Sequence, residues 1–174
     1  STRLPGKALL RINDKPMIAW VWEQAMRAGA ARVCIATDDA RIRDEMVGRG
    51  AEVLMTDAAH TSGTDRLAEV VQQLSLADDS IIVNLQGDEP LMPVANIQRV
   101  AAMLSEQSNA DMATLMEPLA IEEVDKASVV KVVVSETGRA LYFSRAAIPS
   151  RRDDSVAAVS HRHIGLYAYR AHFL

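Results

Sequence analysis

Residues 80–85, Ser-Ile-Ile-Val-Asn-Leu, form a nearly continuous apolar run that passes straight into Gln86-Gly87-Asp88-Glu89-Pro90. Successive side chains of a strand point to opposite faces, so a strand apolar on both must be covered on both. This predicts a central strand of an α/β sheet, with a polar, carboxylate-bearing turn at its carboxyl end.

The rest of the chain repeats the pattern. Pro16 suits a first helical turn, and Met17, Ile18, Val21, Trp22, Ala25 and Met26 recur at helical spacing, predicting a helix over 16–28. Further helices are expected after Asp38-Asp39, ending near Gly48 and Gly50, after Ser62-Gly63-Thr64, and over 93–104. Strands are expected over 31–37, 52–55, 111–117, 129–134, 142–145 and 164–169. Residues 1–7 read as a loop, 121–125 as a short helical or irregular segment, and 149–160 as a polar exposed loop. Alternating βα units call for right-handed crossovers and a mainly parallel sheet, which would gather loops 37–39, 60–64 and 86–90 around one site.

The 174 residues suit one domain, and with aromatics at only 4% the core must be aliphatic. The net charge is −4 and the basic residues are scattered, which argues against a nucleic-acid partner. Cys34, the one cysteine, sits in the apolar run Val33-Cys34-Ile35-Ala36 and reads as a buried reduced thiol. No apolar stretch approaches the roughly 20 residues that span a bilayer, and no signal sequence opens the chain, so a soluble, cytoplasmic protein without a membrane partner is expected. The opening loop has no element before it, and Tyr167–Leu174 stops in a strand-like run without a cap, so truncation at both ends is expected.

Four segments offer chemistry. Ser1-Thr2-Arg3-Leu4-Pro5-Gly6-Lys7 sets two cations four residues apart around a Pro-Gly turn, which can converge on a polyphosphate or be a basic surface turn. It is not a Walker loop, since Ala8 follows Lys7. Asp88, just past the apolar strand, can hold Mg²⁺ against phosphate oxygens, or it can cap its own turn. His60-Thr61-Ser62-Gly63-Thr64-Asp65-Arg66 offers hydroxyls and free amides at a helix start, suited to a base edge or an anion, or to a plain helix cap. Arg162-His163 could meet a carboxylate or stand in solvent.

Taken in order, the runs 1–7, 36–38, 60–67, 83–90, 130–133, 142–146 and 162–169 (Arg-His-Ile-Gly-Leu-Tyr-Ala-Tyr) resemble the 3-deoxy-manno-octulosonate (Kdo) cytidylyltransferases, over essentially the whole chain. The resemblance implies a Rossmann-like, three-layer nucleotidyltransferase of the nucleotide-diphospho-sugar transferase type. The reaction would join CMP from CTP to Kdo for lipopolysaccharide synthesis, with Mg²⁺ as cofactor, in a homodimer. By the same resemblance Arg3 and Lys7 would bind the CTP phosphates, and Ser62, Gly63 and Thr64 would lie near the cytosine. Asp88 would be the metal ligand, with Lys7 and Asp88 the catalytic pair, and Arg66, Gln86, His163 and Tyr167 would face the sugar. Asp38 receives no role.

Compared with that family, residues 1–174 form a single partial domain. Its members begin with an aliphatic strand before the Ser-Thr-Arg and continue into a Val-Asp-x-Pro-x-Asp segment, whose aspartate completes the metal site. Residues 126–129, Lys-Ala-Ser-Val, also depart from the family's Asn-Pro-Asn pattern. Three alternatives remain open at this stage: a CMP-sialic acid synthetase, a catalytically inactive nucleotide-binding fragment, and a dinucleotide-dependent oxidoreductase. The missing Gly-x-Gly-x-x-Gly turn counts against the last.

Overall fold

The computed structural model describes residues 6–150 and 159–174. They divide into two compact units, one made of the chain up to Ala113 together with Leu166–Leu174, the other of Thr114–Gly165.

The first unit opens with a 3₁₀ turn, Lys7–Leu9, and a small antiparallel hairpin, β1 (Arg11–Ile12) and β2 (Lys15–Pro16). Its turn residues Asn13 and Asp14 have φ of 48° and 59°, the left-handed pair that a tight hairpin requires and that Asn and Asp tolerate. Helix α1 (Met17–Arg27) follows and buries Ile18, Ala19 and Val21 along one stripe. Then come β3 (Cys34–Thr37), α2 (Ala40–Val47), β4 (Glu52–Met55), α3 (Gly63–Gln73), β5 (Ile81–Asn84) and α4 (Val94–Glu106). The caps anticipated from sequence are in place. Asp39 accepts from the Arg41 amide at 2.9 Å, and Ser62 and Asp65 form a reciprocal capping box on α3. Ile18, Ala19, Ile35, Met46 and Ala51 make a core cluster against which Trp22, Ile42 and Val53 pack. Burying one such side chain contributes about 1.5–3 kcal/mol.

Strands β6 (Met112–Pro118) and β9 (His161–Arg170) each cross the boundary between the units. The second unit holds β7 (Lys131–Val134) and β8 (Ala140–Ser144), an antiparallel hairpin pairing Lys131 with Ser144 and Val132 with Phe143. Gly138, at φ 81°, makes the turn. Strand β7 also pairs with the start of β9, Lys131 opposite Arg162 and Val132 opposite His161. Lys131 is fully buried, and its Nζ donates to the carbonyls of Lys126, Val129 and Arg145 at 3.0, 2.9 and 2.5 Å.

The α/β class is as expected, but the strands are mixed in direction. Among the described residues β3–β4 is the parallel pair, Cys34 opposite Glu52 through Thr37 opposite Met55. The pairs β1–β2, β7–β8, β7–β9 and β5–β9 are antiparallel. The pattern of βα units could not reveal this for β9, which follows a hairpin instead of a crossover helix and so returns antiparallel, with Ile81 opposite Arg170 and Asn84 opposite Tyr167. Strand β5, expected to be central and covered, pairs among the described residues with β9, and all four of its residues are only half-buried. Cys34 is likewise half-buried rather than buried, and free.

Candidate active site

The turn after β5 is held by two backbone bonds, Glu89 N–H to Gln86 O at 3.1 Å and Met92 N–H to Glu89 O at 3.2 Å. A Cβ added at Gly87 would stand 3.1 Å from Ile18 Cδ1, so glycine lets this turn pass close to α1. The turn presents Asp88, whose Oδ2 accepts from Lys7 Nζ at 2.7 Å. Both side chains are more than a third exposed. Lys7 stands in the 3₁₀ turn preceded by Gly6, which adopts a left-handed φ of 72°. The two segments predicted to handle phosphate and metal therefore meet. Arg3 lies outside the described residues.

Arg66, one turn into α3, is tethered by the carboxyl ends of two strands. Its Nη2 lies 3.2 Å from Asp38 Oδ1, just after β3, and its Nη1 donates to Thr56 Oγ1, just after β4. Thr56 is itself fixed, buried and donating its N–H to Thr37 O at 3.0 Å. Asp38 thus has a partner that sequence patterning did not reveal, and Thr56 was missed altogether. Position just past a strand was the signal available for each.

The start of α3 faces the end of β5, since a Cβ at Gly63 would come 4.0 Å from Asn84 Nδ2. Ser62 Oγ accepts from the Asp65 amide at 3.1 Å, and Asp65 Oδ2 accepts from the Ser62 amide at 3.1 Å and from Thr61 Oγ1 at 3.2 Å. These bonds, led by that with Ser62, hold the Asp65 carboxyl below its usual range. Thr64 bonds the Tyr169 hydroxyl. Tyr167 stands opposite Asn84 and stacks on Tyr169 at 6.1 Å and 26°. Burial raises the hydroxyl pKa of both tyrosines, which therefore stay neutral. His60 is taken up structurally, its Nε2 2.5 Å from Glu69 Oε2. Glu69 also accepts from the Asp57 amide at 2.9 Å, the largest of the causes that hold its carboxyl below the usual range.

Gly63, Arg66, Asn84, Gln86 and Gly87 line a cleft of about 990 Å³ that continues between β3 and β5 and is walled by α1, α3 and α4. The first unit thus gathers Lys7, Ser62, Gly63, Thr64, Arg66, Gln86 and Asp88 around the carboxyl ends of its strands. His163 belongs to the second unit. Its Nε2 lies 2.9 Å from Thr114 Oγ1, which is also 3.1 Å from Ile164 O. Phe143 packs edge-on at 4.9 Å, and burial lowers the His163 pKa. Among the described residues no cluster of three or more His, Cys, Asp or Glu side chains is placed to hold a metal. Among the described residues no helix is long and apolar enough to cross a membrane.

A strand-end site with a paired lysine and aspartate, a capped helix start and a tethered arginine suits a nucleotide polyphosphate. The Cytidylyltransferase family model matches residues 1–174. The 3-deoxy-manno-octulosonate cytidylyltransferase of Pseudomonas fluorescens is 53% identical over 183 residues, covering 100% of this chain and 72% of that protein. That of Vibrio vulnificus is 53% identical over 181 residues, again with 100% of this chain and 72% of the relative. The solved structure of CMP:2-keto-3-deoxy-manno-octonic acid synthetase complexed with CTP superposes with a TM-score of 0.91 at 42% identity, covering 98% of this chain and 70% of that one. This chain belongs to the 3-deoxy-manno-octulosonate cytidylyltransferase family. In this cytidylyltransferase the motif runs 36–38, 60–67 and 83–90, far apart in sequence, converge at the strand ends of the first unit. The runs 130–133 and 142–146 form the hairpin of the second.

Proposed function

We propose that this cytidylyltransferase transfers CMP from CTP to Kdo, giving CMP-Kdo and pyrophosphate. The observation that carries the reaction class is the 2.7 Å pairing of Lys7 with Asp88, the residue that follows Gln86 and Gly87 of the cleft lining. The choice of sugar rests on the relatives, which are about half identical to this chain and named for Kdo. This favours Kdo over a sialic acid and an enzyme over an inactive fragment.

Transfer of a nucleotidyl group needs positioning and cations more than a protein nucleophile. The Kdo anomeric hydroxyl attacks the α-phosphorus of CTP and gives up its proton to water, the bond from that phosphorus to its bridging oxygen breaks, and pyrophosphate leaves with the electron pair. Lys7 and Arg3 neutralise the phosphates. Ser62, Gly63 and Thr64 present hydroxyls and amides to the cytosine, while Arg66, Gln86, His163 and Tyr167 face the sugar and its carboxylate. Asp88 would hold Mg²⁺, which supplies further charge neutralisation when bound. One accessible carboxylate suits a cation that keeps waters and binds mainly substrate phosphates.

We further infer a homodimer, supported by the exposed apolar side chains of β8, where Leu141 and Phe143 on one face are 66% and 41% accessible and Tyr142 on the other is 63% accessible. The reading also places the protein in the cytoplasm, supplying activated Kdo for lipopolysaccharide synthesis. Pyrophosphate release from CTP and Mg²⁺ with Kdo, with sialic acid and with no sugar tests the function. Release that depends on Kdo alone is expected, whereas equal release with sialic acid would overturn the substrate assignment.

A further inference from the structure

Glu69 and Gln73 stand three and seven residues beyond Arg66 on α3, so the three side chains share one face of the helix. All three reach the chain where it leaves β4. Arg66 Nη1 donates to Thr56 Oγ1, while the other two take the backbone on either side of that threonine. Gln73 Nε2 donates to Met55 O at 2.9 Å, and Glu69 Oε2 accepts the Asp57 N–H at 2.9 Å. With the Thr56 N–H given to Thr37 O at 3.0 Å, the peptide groups before and after Thr56 are both held. Glu69 is itself fixed, since Gln73 Nε2 donates to its Oε1 at 2.7 Å and His60 Nε2 lies 2.5 Å from its Oε2. Connecting segments on a surface are ordinarily the mobile part of a fold, yet this one is gripped at the single residue whose hydroxyl meets Arg66.

We propose that Glu69 and Gln73 are positioning residues for Arg66: they fix the backbone on both sides of Thr56 and, through its hydroxyl, the direction of the Arg66 guanidinium. Direction matters for this group because a guanidinium is a planar fork, and it receives a carboxylate well only when the fork faces it. A long side chain that is already ordered also has less freedom to lose when its ligand arrives. Thr56 meets Nη1 and Asp38 lies 3.2 Å from Nη2, so one end of the tether is a charge and the other a neutral hydroxyl whose aim depends wholly on the backbone beneath it. The polar face of α3 beyond Arg66 thus serves the residue at its start. The effect on the reaction rests on the reading of Arg66 as a residue that faces the sugar carboxylate; the effect on the guanidinium does not.

Glu69→Ala, Gln73→Ala and Glu69→Gln test this in two ways. Nuclear magnetic resonance of the chain labelled with ¹⁵N-arginine reads the Arg66 guanidinium directly, and its N–H groups should exchange with water roughly tenfold faster in Glu69→Ala and Gln73→Ala than in the wild type. Glu69→Gln, whose side-chain carbonyl can still accept the Asp57 N–H, should restore most of the protection. In pyrophosphate release, the two alanine variants should raise KM for Kdo roughly threefold to tenfold, with kcat and KM for CTP within about twofold of the wild type. Added to Arg66→Ala, Glu69→Ala should change KM for Kdo no further, because the two act through one group. Unchanged guanidinium exchange in both alanine variants overturns the proposal, as does a rise in KM that is the same with and without Arg66. A matching fall in kcat and in affinity for both substrates also overturns it, since that marks a merely structural helix face. If the wild type shows no release that depends on Kdo, the transfer reading falls, and the guanidinium exchange alone decides whether Glu69 and Gln73 position Arg66.

Discussion

Lys7 Nζ donates to Asp88 Oδ2 at 2.7 Å across 81 residues of sequence, joining the first described turn to the loop after β5. The side chains are 37% and 42% accessible, so the pair contributes at most about 1 kcal/mol to folding. In the proposed reaction Lys7 would neutralise phosphate charge and Asp88 would hold the cation that does the same. We therefore expect Lys7→Ala and Asp88→Asn each to lower CTP-dependent pyrophosphate release by ~10²–10³-fold while moving Tm by no more than about 4 °C. Paired kinetics and melting curves check this. Parallel collapse of Tm and activity would mean the pair is structural.

The tether on Arg66 gives Asp38 a use. Asp38→Asn keeps the shape but removes the charge that meets Nη2 at 3.2 Å, leaving the Thr56 hydroxyl to hold the guanidinium. A hydrogen bond to a charged group contributes roughly 1.5–3 kcal/mol. If Arg66 receives the sugar carboxylate, KM for Kdo should rise by about tenfold or more, with KM for CTP little changed, and Arg66→Ala should cost more than Asp38→Asn. A rise confined to KM for CTP would move Arg66 to the nucleotide.

What sequence could and could not deliver follows from the range of the forces involved. Caps and helix stripes are local, so Asp39, the cap at Ser62 and the α1 positions Ile18 and Val21 were legible, whereas the reciprocal bond from Asp65 and the burial of Ala19 came only with the structure. The two-residue strands around Asn13-Asp14 were not, being too short for any alternation to show. The mixed strand direction was hidden because β9 pairs with β5 across some 85 residues, and no local pattern encodes that register. The site was legible as motifs, whereas the Asp38–Arg66–Thr56 tether joins three strand and helix ends that only folding brings together.

Lys131 tests how the second unit is held. Its ammonium is completely buried and satisfied by three carbonyls from 126, 129 and 145. Replacing it with Met of similar length leaves those carbonyls without a donor, at a cost of about 1–3 kcal/mol for each one that water cannot reach. Lys131→Met should therefore destabilise the hairpin unit, seen as faster amide exchange over 126–146, with exchange of α1 and β3 unchanged. Uniform loss of protection across the chain would instead mark one cooperative unit.

Acid should weaken the fold through His163. Burial against Phe143 disfavours the charged ring, so its folded pKa lies below the ordinary 6.5. Nε2 already bonds Thr114, and an added proton would bring charge into a half-buried place. Because the folded pKa is the lower one, the unfolded chain binds the proton first as pH drops. The stability that the neutral ring contributes is complete above about 6.5 and is lost as pH falls through the folded value. Between pH 7.5 and 5 the wild-type chain should lose more stability than His163→Gln, whose amide can still donate to Thr114 but cannot titrate. Denaturant melts of both at the two pH values measure the difference. Equal losses would place the acid sensitivity in other groups, and a larger loss in His163→Gln would reverse the sign of the assignment.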